Sequence, residues 1–226
     1  MSRSGAFVRQ LTFDLPHEES FRRDDFLESP ANAQALALVD RWPEWPGRAA
    51  AIVGPHGSGK SHLAAIWAER AGARTISGHA LERNDVPAHL ATGALVVEDV
   101  SPGNIDEAAL FHLFNFAREA NAYLLFTAPQ RIDGAGFALP DLVSRLRSIP
   151  AVPLSPPDDA LLSAVLVKLF ADRQLAVGEG VIAYLLPRIE RSLAGARGVV
   201  AELDKVALSR GRAVTKQLAA EVLRKE

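Results

Sequence analysis

Gly54-Pro55-His56-Gly57-Ser58-Gly59-Lys60-Ser61 decides how the rest of this chain is read. The octapeptide fits G-x-x-x-x-G-K-[ST]. It stands between a short apolar run, Ala49 to Val53, and a helix-like segment, Ser61 to Ala71, with Gly72 just past its end. Strand, glycine-rich loop and helix in that order make a phosphate cradle. The glycines let the backbone curl so that successive N–H groups converge on phosphate oxygens, and the helix N-terminus adds its partial positive charge. On this pattern Gly54, Pro55, His56, Gly57, Ser58 and Gly59 wrap the phosphates, Lys60 bridges the β- and γ-phosphates, and Ser61 holds Mg²⁺. His62, the next residue, is placed in the same nucleotide-binding group.

Moving toward the C-terminus, Ala94 to Val97 is a second unbroken apolar run and Ala122 to Phe126 a third. Between them Leu110, Leu113, Phe114 and Ala117 fall at i, i+3, i+4 and i+7, one face of a helix. Unbroken apolar strands alternating with amphipathic helices predict a parallel sheet covered on both faces, since strand alternation vanishes when neither face meets water. The fold class is therefore α/β. Glu98 and Asp99 end the second strand, where a parallel sheet presents its ligand-facing groups. One acid would support the Mg²⁺ shell and the other would orient a water. Thr127 ends the third strand, placed to act as a polar sensor of the γ-phosphate or the attacking water. Arg145 sits in the short helical stretch 139–147, too far along the chain to belong to the phosphate loop. An arginine so carried can serve a neighbouring subunit's nucleotide, stabilising charge on the transferred phosphoryl group in trans.

After Pro156-Pro157 the pattern turns helical throughout, over 158–173, 181–189, 198–208 and 215–224, with Asp158 and Thr215 as cap candidates. This predicts a small helical subdomain over 156–226 behind an α/β core over 25–155. Residues 1–24 lack period and read as a flexible arm in which only Gln10-Leu11-Thr12-Phe13-Asp14-Leu15 is patterned. A helix carrying Leu36 and Val39 is expected to stop at Trp42-Pro43, and Trp42 and Trp45 read as packing residues.

Composition bounds the function. The 226 residues suit one domain with a small satellite. With 25 basic against 27 acidic residues, no overall basic excess is available to neutralise a phosphate backbone, which disfavours a dedicated nucleic-acid binder. The absence of cysteine removes disulfides, zinc-thiolate sites and cysteine nucleophiles. No secretory signal and no apolar stretch of about 20 residues is found, so the expected location is cytoplasmic and away from the membrane.

In combination these motifs resemble the AAA+ family of P-loop NTPases, and within it the DnaA-like clade of bacterial replication proteins, over roughly residues 20 to 225. The resemblance implies that Gly54 to Ser61 is the Walker A loop, Glu98-Asp99 the Walker B pair, Thr127 the first sensor and Ser144-Arg145-Leu146 the arginine-finger segment. Arg197, ahead of Val199-Val200-Ala201-Glu202-Leu203-Asp204, matches the second-sensor arginine that reaches from the lid to the phosphates. Leu27 and Asn32 would lie near the adenine. Glu98 stands where aspartate is commoner. The peptide with Gln10, Leu11, Phe13 and Leu15 resembles the one that docks on the bacterial DNA polymerase III sliding clamp. The chain ends with the lid, so no direct sequence-specific DNA binding is expected. An arm of this kind on a lone AAA+ module implies ADP (or ATP) with Mg²⁺ as cofactor, and DnaA and the clamp as partners, with a homo-oligomer as a further possibility. Its role would be negative control of initiation by stimulating hydrolysis of DnaA-bound ATP. The alternatives are an autonomous ATPase of helicase-loader or transposition-helper type, and a non-catalytic module that ADP merely rigidifies.

Overall fold

The computed structural model describes residues 22–132 and 136–224. The clamp-type positions Gln10, Leu11, Phe13 and Leu15 lie outside the described residues. In chain order the first elements are α1 (Ala33–Asp40), β1 (Ala49–Val53), α2 (Lys60–Ala71), β2 (Arg74–Ser77), α3 (Val86–His89), β3 (Ala94–Glu98) and α4 (Glu107–Glu119). There follow β4 (Tyr123–Ala128), α5 (Pro140–Ser148), β5 (Ala151–Pro153), α6 (Asp159–Asp172), α7 (Glu179–Leu185), α8 (Leu193–Arg210) and α9 (Lys216–Leu223).

The five strands form one sheet in the order β2-β3-β4-β1-β5, every pairing parallel. Their side chains sort by period two. Ala49, Ala51 and Val53 of β1 share a core with Leu110, Leu113 and Leu142 from α4 and α5, while Ala50 and Ile52 face Leu36, Leu63 and Trp67 from α1 and α2. Both faces are dry, which is why β1, β3 and β4 read as unbroken apolar runs. Trp45 is buried, its indole donates to the Leu38 carbonyl at 2.7 Å, and it stacks on Trp67 at 5.1 Å, so it packs as expected. Helices α6 to α9 have a core of their own around Leu162, Phe170, Val200 and Leu203. Asp158 and Thr215 cap α6 and α9, accepting from the N–H of Leu161 at 2.7 Å and of Leu218 at 3.3 Å.

Three differences from the sequence reading have physical causes. Strands β2 and β5 are edge strands of four and three residues; β2 is half exposed and carries polar residues, and β5 is short and bounded by prolines that cannot donate to a ladder, so neither reads as a strand. Helix α8 begins at Leu193 rather than at Gly198. Gly195 and Gly198 disguise its first turns, which start at Ser192, whose hydroxyl accepts from the Gly195 N–H at 2.9 Å. Finally, Arg23–Asp25 form a 3₁₀ turn closed by the Asp25 N–H on the Arg22 carbonyl at 3.1 Å, so residues 22–24 belong to the folded body and not to the arm.

Candidate functional site

The phosphate loop leaves β1 at the centre of the sheet's C-terminal edge. Gly54 N–H donates to the Ala128 carbonyl of β4 at 3.0 Å, and a Cβ on Gly54 would stand 2.3 Å from the Leu154 carbonyl oxygen, so the loop starts where no side chain fits. Gly57 and Gly59 take φ of +69° and +105°, the turn that points the following N–H groups inward. Helix α2 then opens without a side-chain cap, leaving its first donors for an anion. Lys60 is buried and donates from Nζ to the carbonyls of Gly54 at 2.9 Å and Pro55 at 2.8 Å. Burial holds its ammonium below the usual lysine value, and Asp99 and Glu98 pull the other way. A buried cation beside the uncapped N-terminus of α2 fits a phosphate, and the Ser58 hydroxyl in the same loop is buried without a partner among the described residues.

Across from the loop, Glu98 ends β3 with Oε1 buried and without a hydrogen-bond partner among the described residues. An orphaned carboxylate oxygen in a site that also offers the Ser61 hydroxyl fits Mg²⁺, which takes few protein ligands and keeps its waters. Asp99 follows with φ +57°, a left-handed conformation that costs a non-glycine residue about 1 kcal/mol. It is held there from two sides. Its N–H donates to Thr127 Oγ1 at 3.1 Å, and Asn104 Nδ2 donates to its carbonyl at 2.8 Å. Thr127 is buried, so the expected sensor is also the group that fixes the acidic turn, and its own hydroxyl proton remains to be donated.

A cavity of about 330 Å³ lies between the loop's helix and the C-terminal helices, within the size range of small-ligand pockets. Leu27, Asn32, His62 and Arg197 all line it, so four residues scattered over 170 positions meet at one cavity. Asn32 is committed to its own loop, donating to the Leu27 carbonyl at 2.8 Å and accepting from the Ser29 N–H at 2.9 Å; it shapes the wall. Lys168 of α6 lines the same cavity and pairs with Asp172 at 2.7 Å and Asp25 at 2.8 Å, joining the N-terminal segment to α6. Helix α8 also touches the loop directly, since Leu193 N–H donates to the Gly57 carbonyl at 2.7 Å.

Arg145 stands apart from all of this. It lines a second cavity together with Ala49, Asn121 and Leu124, at the N-terminal ends of the strands and therefore opposite its own phosphate loop. Its guanidinium donates to Asn115 Oδ1 at 2.7 Å and lies over the Phe111 ring at 5.0 Å. Asn104, Asn115, Lys168 and Ser192 were not legible in the sequence as site residues, because no periodicity marks a polar side chain whose work is to hold another.

No protein-family model and no curated protein sequence matches the chain. Its likeness to known proteins lies in the fold. Domain III of the replication initiation protein DnaA from Thermotoga maritima superposes with a TM-score of 0.76 at 20% identity, over 91% of this chain and 96% of that one. AMPPCP-bound DnaA from Aquifex aeolicus gives 0.64 at 19% identity over 83% and 66%. The RuvB Holliday junction branch migration motor of T. maritima gives 0.73 at 14% identity over 91% and 72%. The chain thus has the AAA+ P-loop NTPase fold in its DnaA-like form.

Proposed function

We propose that this chain is a DnaA-related regulator of replication initiation of the Hda type. It holds an adenine nucleotide in its own phosphate loop and lends Arg145 to the ATP site of DnaA, converting the initiator to its ADP form. The observation that carries the reading is the position of Arg145. It lies at the opposite end of the strands from its own loop, fixed by Asn115 and Phe111, where it can serve only a nucleotide held by another molecule. The likeness to DnaA domain III over almost the whole of both chains supports DnaA as that molecule.

Each residue then has a role. The loop Gly54 to Ser61, through its uncommitted N–H groups and the Lys60 ammonium, binds the phosphates of the chain's own nucleotide, with ADP as the resting ligand. Ser61 and Glu98 would hold Mg²⁺, which when bound neutralises phosphate charge. Arg197 reaches the phosphates from α8, and Leu27, Asn32 and His62 form the wall at the base. Residues 25–155 serve as the core and 156–226 as the lid that closes over the ligand. Gln10, Leu11, Phe13 and Leu15 dock on the DNA polymerase III sliding clamp and raise the local concentration of Arg145 near newly replicated DNA in the cytoplasm. Arg145 stabilises the transition state in DnaA and not the ground state, so it affects rate more than docking.

The test is phosphate release from ATP-loaded DnaA with this protein and DNA-loaded clamp, beside each component alone. Release should need all of them. Arg145→Ala should abolish it while clamp binding persists, and equal stimulation by that variant would sink the reading.

A second reading is favoured by the cis pairing of Asp99 with Thr127 and the orphaned Glu98 oxygen, a set that suits hydrolysis of the chain's own ATP. In that case the protein is an autonomous AAA+ ATPase and Arg145 acts on a like subunit. Turnover by the protein alone, lost in Asp99→Asn, would identify it.

A further inference from the structure

The cavity that Arg145 lines, of about 600 Å³, has no acidic residue among the described residues of its wall. Two more arginines line it, Arg48 and Arg118. They differ in what they are free to do. Arg48 is committed, donating to the Asn121 carbonyl at 3.1 Å with its guanidinium 4.9 Å from the centre of the Tyr123 ring. Arg118 is exposed and its side chain makes no hydrogen bond or ion pair among the described residues. Its place follows from α4. Phe111, Asn115 and Arg118 are spaced i, i+4 and i+7, one face of a helix, and the first two already hold the Arg145 guanidinium. Arg118 therefore stands three residues, about 4.5 Å along the axis, beyond the Asn115 that holds Arg145. Both guanidinium groups thus line one cavity without a carboxylate among its described lining residues, and an anion entering it can be held by both.

We propose that this cavity is a phosphate acceptor completed from outside, in which Arg145 and Arg118 together receive the terminal phosphates of a nucleoside triphosphate seated in a second molecule's phosphate loop. The inference rests on the reading of Arg145 as acting in trans and adds Arg118 as its partner. The reaction served is hydrolysis. The attacking water oxygen forms a bond to the γ-phosphorus, the bond from that phosphorus to the β–γ bridging oxygen breaks, and the electron pair leaves on the diphosphate. The water's protons pass to phosphate or solvent. Arg145 stands against the transferring group and Arg118 against the charge that gathers on the leaving side.

Arg118→Ala and Arg118→Lys are compared with wild type and Arg145→Ala in phosphate release from ATP-loaded DnaA with DNA-loaded clamp. Arg118→Ala is expected to lower the maximal rate by about tenfold or more while the half-saturating concentration holds, and Arg118→Lys should recover part of the loss. Unchanged melting temperatures establish that both variants fold. A maximal rate within twofold of wild type for Arg118→Ala, beside a dead Arg145→Ala, overturns this inference and leaves the role of Arg145 standing. If the wild type does not act on DnaA, the regulator reading falls, and the same variants are compared in the chain's own concentration-dependent ATPase. A matching loss there supports the acceptor with a second copy as donor of the nucleotide, and no loss, or no turnover by the wild type, overturns it.

Discussion

Lys60 carries a cost that only a ligand repays. Its ammonium is buried, its donors rest on two loop carbonyls, and burial depresses its pKa. A lysine whose folded value lies below its unfolded one destabilises the fold while charged, and that penalty eases as pH rises through the folded value. Lys60→Met should therefore leave the melting temperature of the free protein unchanged or raised. The same variant should lose the stabilisation by ADP and Mg²⁺, which at a hundredfold excess over Kd is worth about 2.7 kcal/mol in a competent site. Differential scanning fluorimetry with and without nucleotide checks both halves. Because bound phosphate favours the charged form, nucleotide affinity should weaken as pH climbs from neutral toward the lysine range, measured by titration calorimetry between pH 7 and about 10.

At the scale of an element, α8 tests how one helix serves both packing and site. Its N-terminus is capped by Ser192, and its first N–H reaches the phosphate loop at Gly57. Ser192→Ala should cost about 1 kcal/mol in urea denaturation. The two glycines near the start of α8 should respond with opposite signs. At Gly198 an added Cβ meets nothing within 4 Å, so Gly198→Ala should stabilise by about 0.5–1 kcal/mol through helix propensity. At Gly195 the Cβ would stand 2.8 Å from the Glu190 carbonyl oxygen, so Gly195→Ala should destabilise although the same propensity favours it. Equal shifts at both positions would contradict the packing described for the start of α8.

At the scale of the molecule, α6 is joined to the N-terminal segment through Lys168, which pairs with Asp172 and Asp25. The bonds to Asp172 and then Asp25 raise its pKa. A raised lysine contributes fully below its unfolded value near 10.4, and the contribution is lost only as pH rises through the folded value, so the effect should be flat between about pH 6 and 9. The pair is partly solvated, so Lys168→Met should lower global stability by less than about 1 kcal/mol, and by less still in high salt. Its larger effect should be local. Hydrogen exchange should speed up at the end of α6 and over Arg23–Asp25, and unchanged protection at both would argue against a latch across the cavity.

The phosphate loop, the three central strands, the caps at Asp158 and Thr215 and the acids closing β3 could all be read from the sequence, because each depends on local chemistry. Glycine at a positive φ, an apolar run buried on two faces and a hydroxyl ahead of a helix are decided within a few residues of one another. The edge strands β2 and β5 could not be read, since one is polar and half exposed and the other is short and bounded by prolines. Nor could the start of α8, whose glycines conceal a helix held by its neighbours. Tertiary structure alone brought Leu27, His62 and Arg197 to one cavity, set Thr127 against Asp99, and placed Asn115 and Arg118 beside Arg145. Those are contacts between distant stretches, and packing of the sheet and its helices determines which polar groups meet.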